Sequence, residues 1–210
     1  QQPDCDAIAI RVAAPRPLLL LAAADPPAVV VQRLAALAAA RAHAFATLPV
    51  DVIVEPGVRL PEGLDRLGAT VAQCQPRLLI LDPLIRLHRA DENSAPEMAG
   101  ILDGLRTLAR ATDCAVLLVH HTRKAPAGGS PGLGLRGSSD VHAFGDTNLY
   151  LRRLGPDALL ELRIEHRAAP CPLPLRLRLR VDEGPVLLAR FVCEDGAPPD
   201  PVRERMLALV

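Results

Sequence analysis

Short, unbroken apolar runs alternate along the chain with stretches in which apolar residues recur every three or four positions. That alternation is the signature of a parallel sheet covered by helices. The first run is Leu18 to Ala23, closed by the turn Asp25-Pro26-Pro27, and an Ala- and Leu-rich helix is expected from Ala28 to Ala44. A short strand over Val52 to Val54 and a helix from Glu62 to Gln73 follow. The strongest strand is Leu78-Leu79-Ile80-Leu81, ended by Asp82-Pro83. Its continuous hydrophobicity predicts a central strand covered on both faces. Ser94-Ala95-Pro96-Glu97 reads as a capping box with proline in the first turn, and Met98, Ile101, Leu102, Leu105 and Leu108 behind it form one apolar stripe. Cys114 to Val119 predicts a second central strand, closed by His120-His121.

Beyond Thr122 the pattern changes. Residues 122 to 137 are rich in Gly, Pro and Ser and predict a mobile loop, followed by a short helix over Ser138 to Phe144. Four further runs, Asn148 to Leu154, Ala158 to Glu165, Pro174 to Val181 and Val186 to Cys193, alternate apolar with charged residues. Such alternation predicts half-exposed antiparallel strands. No internal repeat and no second domain are visible. The expectation is one domain over residues 1–195, with 196–210 a tail or the start of a linker.

Composition narrows the class of protein. Half of the residues are hydrophobic but only 2% are aromatic, so the core must be aliphatic. Formal net charge is zero, which leaves no overall electrostatic footprint for nucleic acid, although a local basic stripe is compatible with it. Five cysteines without a C-x-x-C pair predict a reducing, cytoplasmic setting rather than a disulfide framework or a zinc site. No apolar run reaches the roughly 18 residues of a membrane span. The chain opens Gln1-Gln2, and the expectation is a piece of a longer product.

Candidate chemistry gathers at strand ends, because ligands of open α/β sheets bind outside the carboxyl ends of the strands. Asp82 closes an apolar strand as a Walker B carboxylate does, where it can orient Mg²⁺ beside nucleotide phosphates; a plain Asp-Pro turn is the alternative. His120 and His121 close the neighbouring strand, where an imidazole can contact a γ-phosphate or stand solvated in a surface turn. The glycine-rich stretch 127–137 is not a phosphate cradle, since the P-loop pattern G-x-x-x-x-G-K-[ST] needs a lysine and the chain's only one is Lys124. Lys124 and Arg136 instead suit contacts to a nucleic-acid backbone, with a plain disordered loop as the default alternative. Arg163 to Arg167 ends a strand where an arginine can reach across a subunit interface, the ordinary alternative being a solvated strand end. Asp91-Glu92-Asn93 can be read as an acidic cluster for metal or general-base work, but reads better as the entry loop and N-terminal charge of the following helix.

Several segments together resemble a known family. Pro76 to His88, Asp91 to Ser94, Leu118 to Lys124, Leu135 to Ser139 and Asn148 to Arg153 are similar, in order and spacing, to the RepA-type hexameric helicase ATPases. The resemblance implies an α/β, RecA-like three-layer sandwich with a mostly parallel central sheet and antiparallel C-terminal strands. It further implies ATP and Mg²⁺ as cofactors, a homo-oligomeric ring and single-stranded DNA as partner. Asp82 would hold the metal, His120 or His121 would sense the γ-phosphate, Arg136 would face DNA, and Arg167 would be the arginine finger. Two departures stand beside the matches. No P-loop motif occurs in the 210 residues, and its strand and helix are expected upstream of Gln1. Ala24 occupies the position of the glutamate that activates water in the family, with Asp25 one residue along. The resulting expectation is a DNA-associated ATP motor domain inactive by itself, with a degenerate, non-hydrolysing binding or oligomerisation module as the alternative.

Overall fold

The computed structural model describes residues 16–54, 56–121, 139–156, 159–182 and 188–193. They divide into two compact units: residues 16–32 with 46–144, and residues 33–45 with 145–193. The stretch 122–138, including Lys124 and Arg136, lies outside the described residues.

The first unit is built on a parallel sheet in the order β2-β1-β3-β4. Its strands are β1 (Leu18–Ala22), β2 (Val50–Val54), β3 (Leu78–Asp82) and β4 (Ala115–Leu118). Register pairs Leu19 with Leu79 and Leu21 with Leu81, so these four side chains share one face. Together with Leu67, Met98, Ile101, Leu105 and Cys114 they make a core from which water is excluded. That core is aliphatic, as the scarcity of aromatic residues demands.

Helices α2 (Leu64–Cys74) and α3 (Ala95–Thr112) supply the other half of the core. The expected stripe on α3 is realised: Met98, Ile101, Leu102 and Leu105 are buried and Leu108 packs beside them. A short helix, α4 (Ser139–Phe144), is held to α3 by Arg106, whose Nη2 donates to the Phe144 carbonyl at 3.2 Å. The Arg106 guanidinium also lies 4.8 Å from the centroid of the Phe144 ring.

Four details depart from the expectations. Helix α1 runs Pro27–Ala39 and stops short of Ala44. The chain closes there with His43 N–H bonded to the Ala38 carbonyl and Ala42 N–H to Ala39, and Ala42 takes the left-handed φ of 57°. This terminating pattern overrides the helical preference of alanine. At α3 the capping box is not formed. Ser94 makes no side-chain cap bond, and the Glu97 carboxylate instead accepts from the Asp91 amide at 3.0 Å. β3 is fully covered on one face only, by Leu79 and Leu81, while Leu78 and Ile80 are half-buried. β4, expected to be central, is an edge strand of the described sheet, and its Leu117 is 37% exposed.

The second unit is an antiparallel meander, β5 (Thr147–Arg153), β6 (Leu159–His166), β7 (Leu175–Asp182) and β8 (Leu188–Cys193). These strands form a sheet of their own in the order β5-β6-β7-β8, rather than extending the parallel sheet. Register puts Leu149, Leu151, Leu162, Leu177, Leu179, Val181 and Phe191 on one face. Tyr150, Arg152, Glu161, Arg163, Arg176, Arg178 and Arg180 take the other. Glu161 Oε1 accepts from Arg152 at 3.0 Å and from Arg163 at 2.8 Å. Cys74, Cys114 and Cys171 are free thiols, and Cys193 is disulfide-bonded. No helix among the described residues is long and apolar enough to cross a membrane.

Candidate functional site

Parallel strands in register bring their carboxyl ends to one edge, and here that edge gathers the residues singled out in the sequence. Asp82 ends β3 half-buried, and its carbonyl accepts the Ala23 amide at 2.7 Å, which ties the end of β1 to the end of β3. β4 is laced to β3 in the same place. Val119 N–H donates to Leu81 at 3.0 Å, and the Val119 carbonyl accepts Leu84 N–H at 2.9 Å. His120 therefore leaves the sheet immediately past the backbone neighbour of Asp82. Ala24 and Asp25 leave β1 on the same edge, Ala24 exposed and Asp25 half-buried.

The two histidines differ. His121 is exposed, whereas the His120 side chain is only 6% accessible and its Nδ1 lies 3.5 Å from Oε1 of Glu92. The Glu92 side chain is itself 14% accessible. Behind them His88 is buried, with neither ring nitrogen at hydrogen-bonding geometry. Burial holds the His88 imidazole below its ordinary pKa, and the neighbouring Glu92 carboxylate opposes that shift. His88 is thus kept neutral near pH 7.

The loop carrying these groups is anchored on both sides. Leu60 N–H bonds the Leu87 carbonyl at 2.7 Å, and Arg59 Nη1 donates to the Arg86 carbonyl at 2.8 Å. Past Ala90, the Asp91 carboxylate accepts from the amide and the side chain of Asn93 at 2.9 and 3.0 Å, a tight polar turn. That turn directs Glu92 inward. Glu92 was read from the sequence as entry-loop charge for α3; the structure places it against His120 instead. His88 was missed as well, although Leu84, Leu87 and His88 at i, i+3 and i+4 give the signal of one buried side.

Arg167 belongs to the antiparallel unit, where its Nη1 pairs with Asp146 at 3.1 Å and its amide donates to the Asp146 carbonyl at 2.9 Å. Its side chain is 49% exposed. Lys124 and Arg136 fall outside the described residues.

The carboxyl edge of this parallel sheet thus carries a carboxylate on one strand and an exposed imidazole, His121, on the next, at the place where ligands of open α/β sheets bind. The chain matches the AAA domain family (AAA_25) over residues 5–127 and belongs to it, an AAA-type P-loop ATPase family. The match takes in every strand of the parallel sheet and ends just past His121. Such a family implies nucleotide binding, ordinarily with Mg²⁺. The side chains present fit the metal in part. Among the described residues no group of three His, Cys, Asp or Glu side chains could hold a cation by itself. Asp82 suits Mg²⁺ in the manner of a single carboxylate that acts together with water and phosphate oxygens. For the polyphosphate itself the 210 residues supply no G-x-x-x-x-G-K-[ST] cradle.

Proposed function

We propose that the carboxyl edge of the β2-β1-β3-β4 sheet faces Mg·ATP in a RecA-like, RepA-type motor domain that acts on DNA in a cytoplasmic ring. This stretch of chain does not turn ATP over by itself. The observation that carries the reading is Asp82 at the end of β3, with His120 and His121 at the end of the adjacent β4, inside the segment that matches the AAA domain family. In this reading Asp82 orients the metal and exposed His121 meets the terminal phosphate. His120 conveys the state of the site to the loop before α3. Arg167 acts across a subunit interface, and Lys124 and Arg136 contact the backbone of single-stranded DNA.

Two features of the chain oppose turnover. The phosphate cradle motif is absent, and Ala24, exposed at the end of β1, has no group that could activate water. Loss of preorganised donors at the developing charge costs several powers of ten in rate. A second reading, a non-hydrolysing domain that keeps the scaffold for binding or oligomerisation, draws on the same two features.

Equilibrium binding of a fluorescent ATP analogue, with and without Mg²⁺, together with steady-state hydrolysis, separates these readings. Mg²⁺-dependent binding that weakens at least about tenfold in Asp82→Ala, without turnover above background, is the expected result. Turnover abolished by Asp82→Ala would overturn the inactivity. Binding that is indifferent both to Mg²⁺ and to Asp82 would overturn the placement of the site and favour the second reading.

A further inference from the structure

The polar face of the antiparallel sheet gathers one sign of charge. Alternation along β7 puts Arg176, Arg178 and Arg180 on it, each about 7 Å from the next along the strand. Register adds Arg152 of β5, Arg163 of β6 and Arg190 of β8, the last directly opposite Arg180. Three carboxylates share the face, Glu161, Glu165 and Asp182, so it is net positive in a chain whose formal charge is zero. Glu161 is already engaged by Arg152 and Arg163. Arg176 and Arg180 are exposed, and among the described residues neither makes an ion pair. Like charges opposite each other destabilise a sheet, and an anion laid beside Arg180 and its register partner relieves that repulsion.

We infer that this face binds a single nucleic-acid strand by its phosphates, with the row of β7 arginines along the backbone of the strand. The guanidinium fork matches a phosphate and bonds it bidentately. A row repeated at one spacing suits a polymer that repeats its charge, whereas a lone anion is best held by groups that converge. A flexible strand follows a twisted sheet, which a duplex, stiff over many base pairs, does not. A lipid surface is disfavoured because basic residues at a membrane work together with apolar ones that enter it. The large apolar residues exposed on the strands, Leu149, Leu151, Leu179, Val181 and Phe191, all lie on the opposite face. This site belongs to the antiparallel unit and does not rest on the nucleotide reading of the parallel one.

The test uses the 210-residue chain without nucleotide. Fluorescence anisotropy of a labelled oligothymidylate is titrated at salt concentrations from about 50 to 200 mM. The parent protein is compared with Arg176→Ala/Arg180→Ala and with Arg153→Ala, which removes an exposed arginine of β5 from the opposite face. Thermal unfolding verifies that each variant is folded. The parent protein should bind, and more weakly as salt rises. The double variant should bind about tenfold more weakly, with a log–log salt slope shallower by about 1.4, roughly 0.7 for each arginine that meets a phosphate. Arg153→Ala should bind as the parent does.

Binding that ignores Arg176 and Arg180 overturns the inference and leaves Lys124 and Arg136 as the DNA contacts. Weakening by Arg153→Ala as large as that of the double variant overturns it too, since charge would then act without regard to face. Absence of binding overturns it while leaving the placement of Mg·ATP untouched. Tighter binding to a duplex, to polyglutamate or to phosphatidylserine vesicles than to the single strand assigns the face to another partner and overturns it as well.

Discussion

The parallel and the antiparallel sheets of this chain are written in two patterns, and the structure shows what each pattern accomplishes. β1 is an unbroken run, Leu18–Ala22, and four of its five side chains are buried. β7 reads Leu-Arg-Leu-Arg-Leu-Arg, and only Leu177 of its eight residues is buried. Both sheets are four strands wide, yet only the parallel one encloses a large aliphatic core. The antiparallel one separates its side chains into an arginine-rich face and an apolar face on which Leu149, Leu151 and Phe191 are about half exposed. The lesson is that a continuous apolar run reports burial, whereas alternation reports two-facedness and says little about what covers the apolar face.

The sharpest contrast should come from leucines at matched positions in the two sheets. Leu79→Ala removes a side chain with no exposure, and it should cost about 2–5 kcal/mol, read as a lower denaturation midpoint. Leu151→Ala, at 56% exposure, should stay within about 0.5 kcal/mol. Equal losses would mean that the apolar face of the meander is a closed core after all.

Helix α3 offers a smaller contrast within the parallel unit. A methyl at Gly104 would collide with the Leu64 side chain, so Gly104→Ala should destabilise by about 1–3 kcal/mol. At Gly100 nothing lies within 4 Å of the added carbon, and Gly100→Ala should stabilise by about 0.5–1 kcal/mol. Thermal unfolding of the two variants measures both signs.

Acid and alkali should discriminate the two units. The folded parallel unit depresses the pKa of His88 below 6.5, so the unfolded chain binds the proton first. Its stability should therefore be complete above pH 6.5 and decline as pH falls toward the folded value, a slope that His88→Phe should reduce. In the antiparallel unit, burial and the negative charge of the neighbouring Glu165 carboxylate push the Tyr150 hydroxyl up from 10 to about 12. Stability there should hold below pH 10 and fall as pH rises between 10 and 12, and Tyr150→Phe should remove the fall. Residue-resolved hydrogen exchange across pH follows each unit separately. The smallest effect is expected at Glu161→Gln. It weakens the contacts to Arg152 and Arg163, but both arginines are substantially exposed, and solvent screening limits the loss to about 1 kcal/mol or less.

Much of this fold was legible in the pattern of apolar residues. Every described strand lies within a few residues of its expected place, because strand length and helix stripe are local properties. Asp82, His120 and His121 could be selected because each follows directly on an apolar run. What stayed hidden depends on contacts between distant residues. That β4 is an edge strand and that the meander forms its own sheet follow from hydrogen-bond pairing, which hydrophobicity does not encode. The capping box failed because Glu97 serves the amide of Asp91. Glu92 read as entry-loop charge of the following helix because its place 3.5 Å from His120 brings together residues 28 positions apart.

The central claim is that the carboxyl edge of the parallel sheet is where nucleotide acts. Hydrogen–deuterium exchange of the 210-residue chain with and without Mg·ATP tests it most directly. The account predicts slowed exchange at residues 82–88 and 119–121 and in the loop to α3, no change in β5 to β8, and loss of the effect in Asp82→Ala. Protection confined to the meander, or protection at the sheet edge that survives Asp82→Ala undiminished, would contradict it.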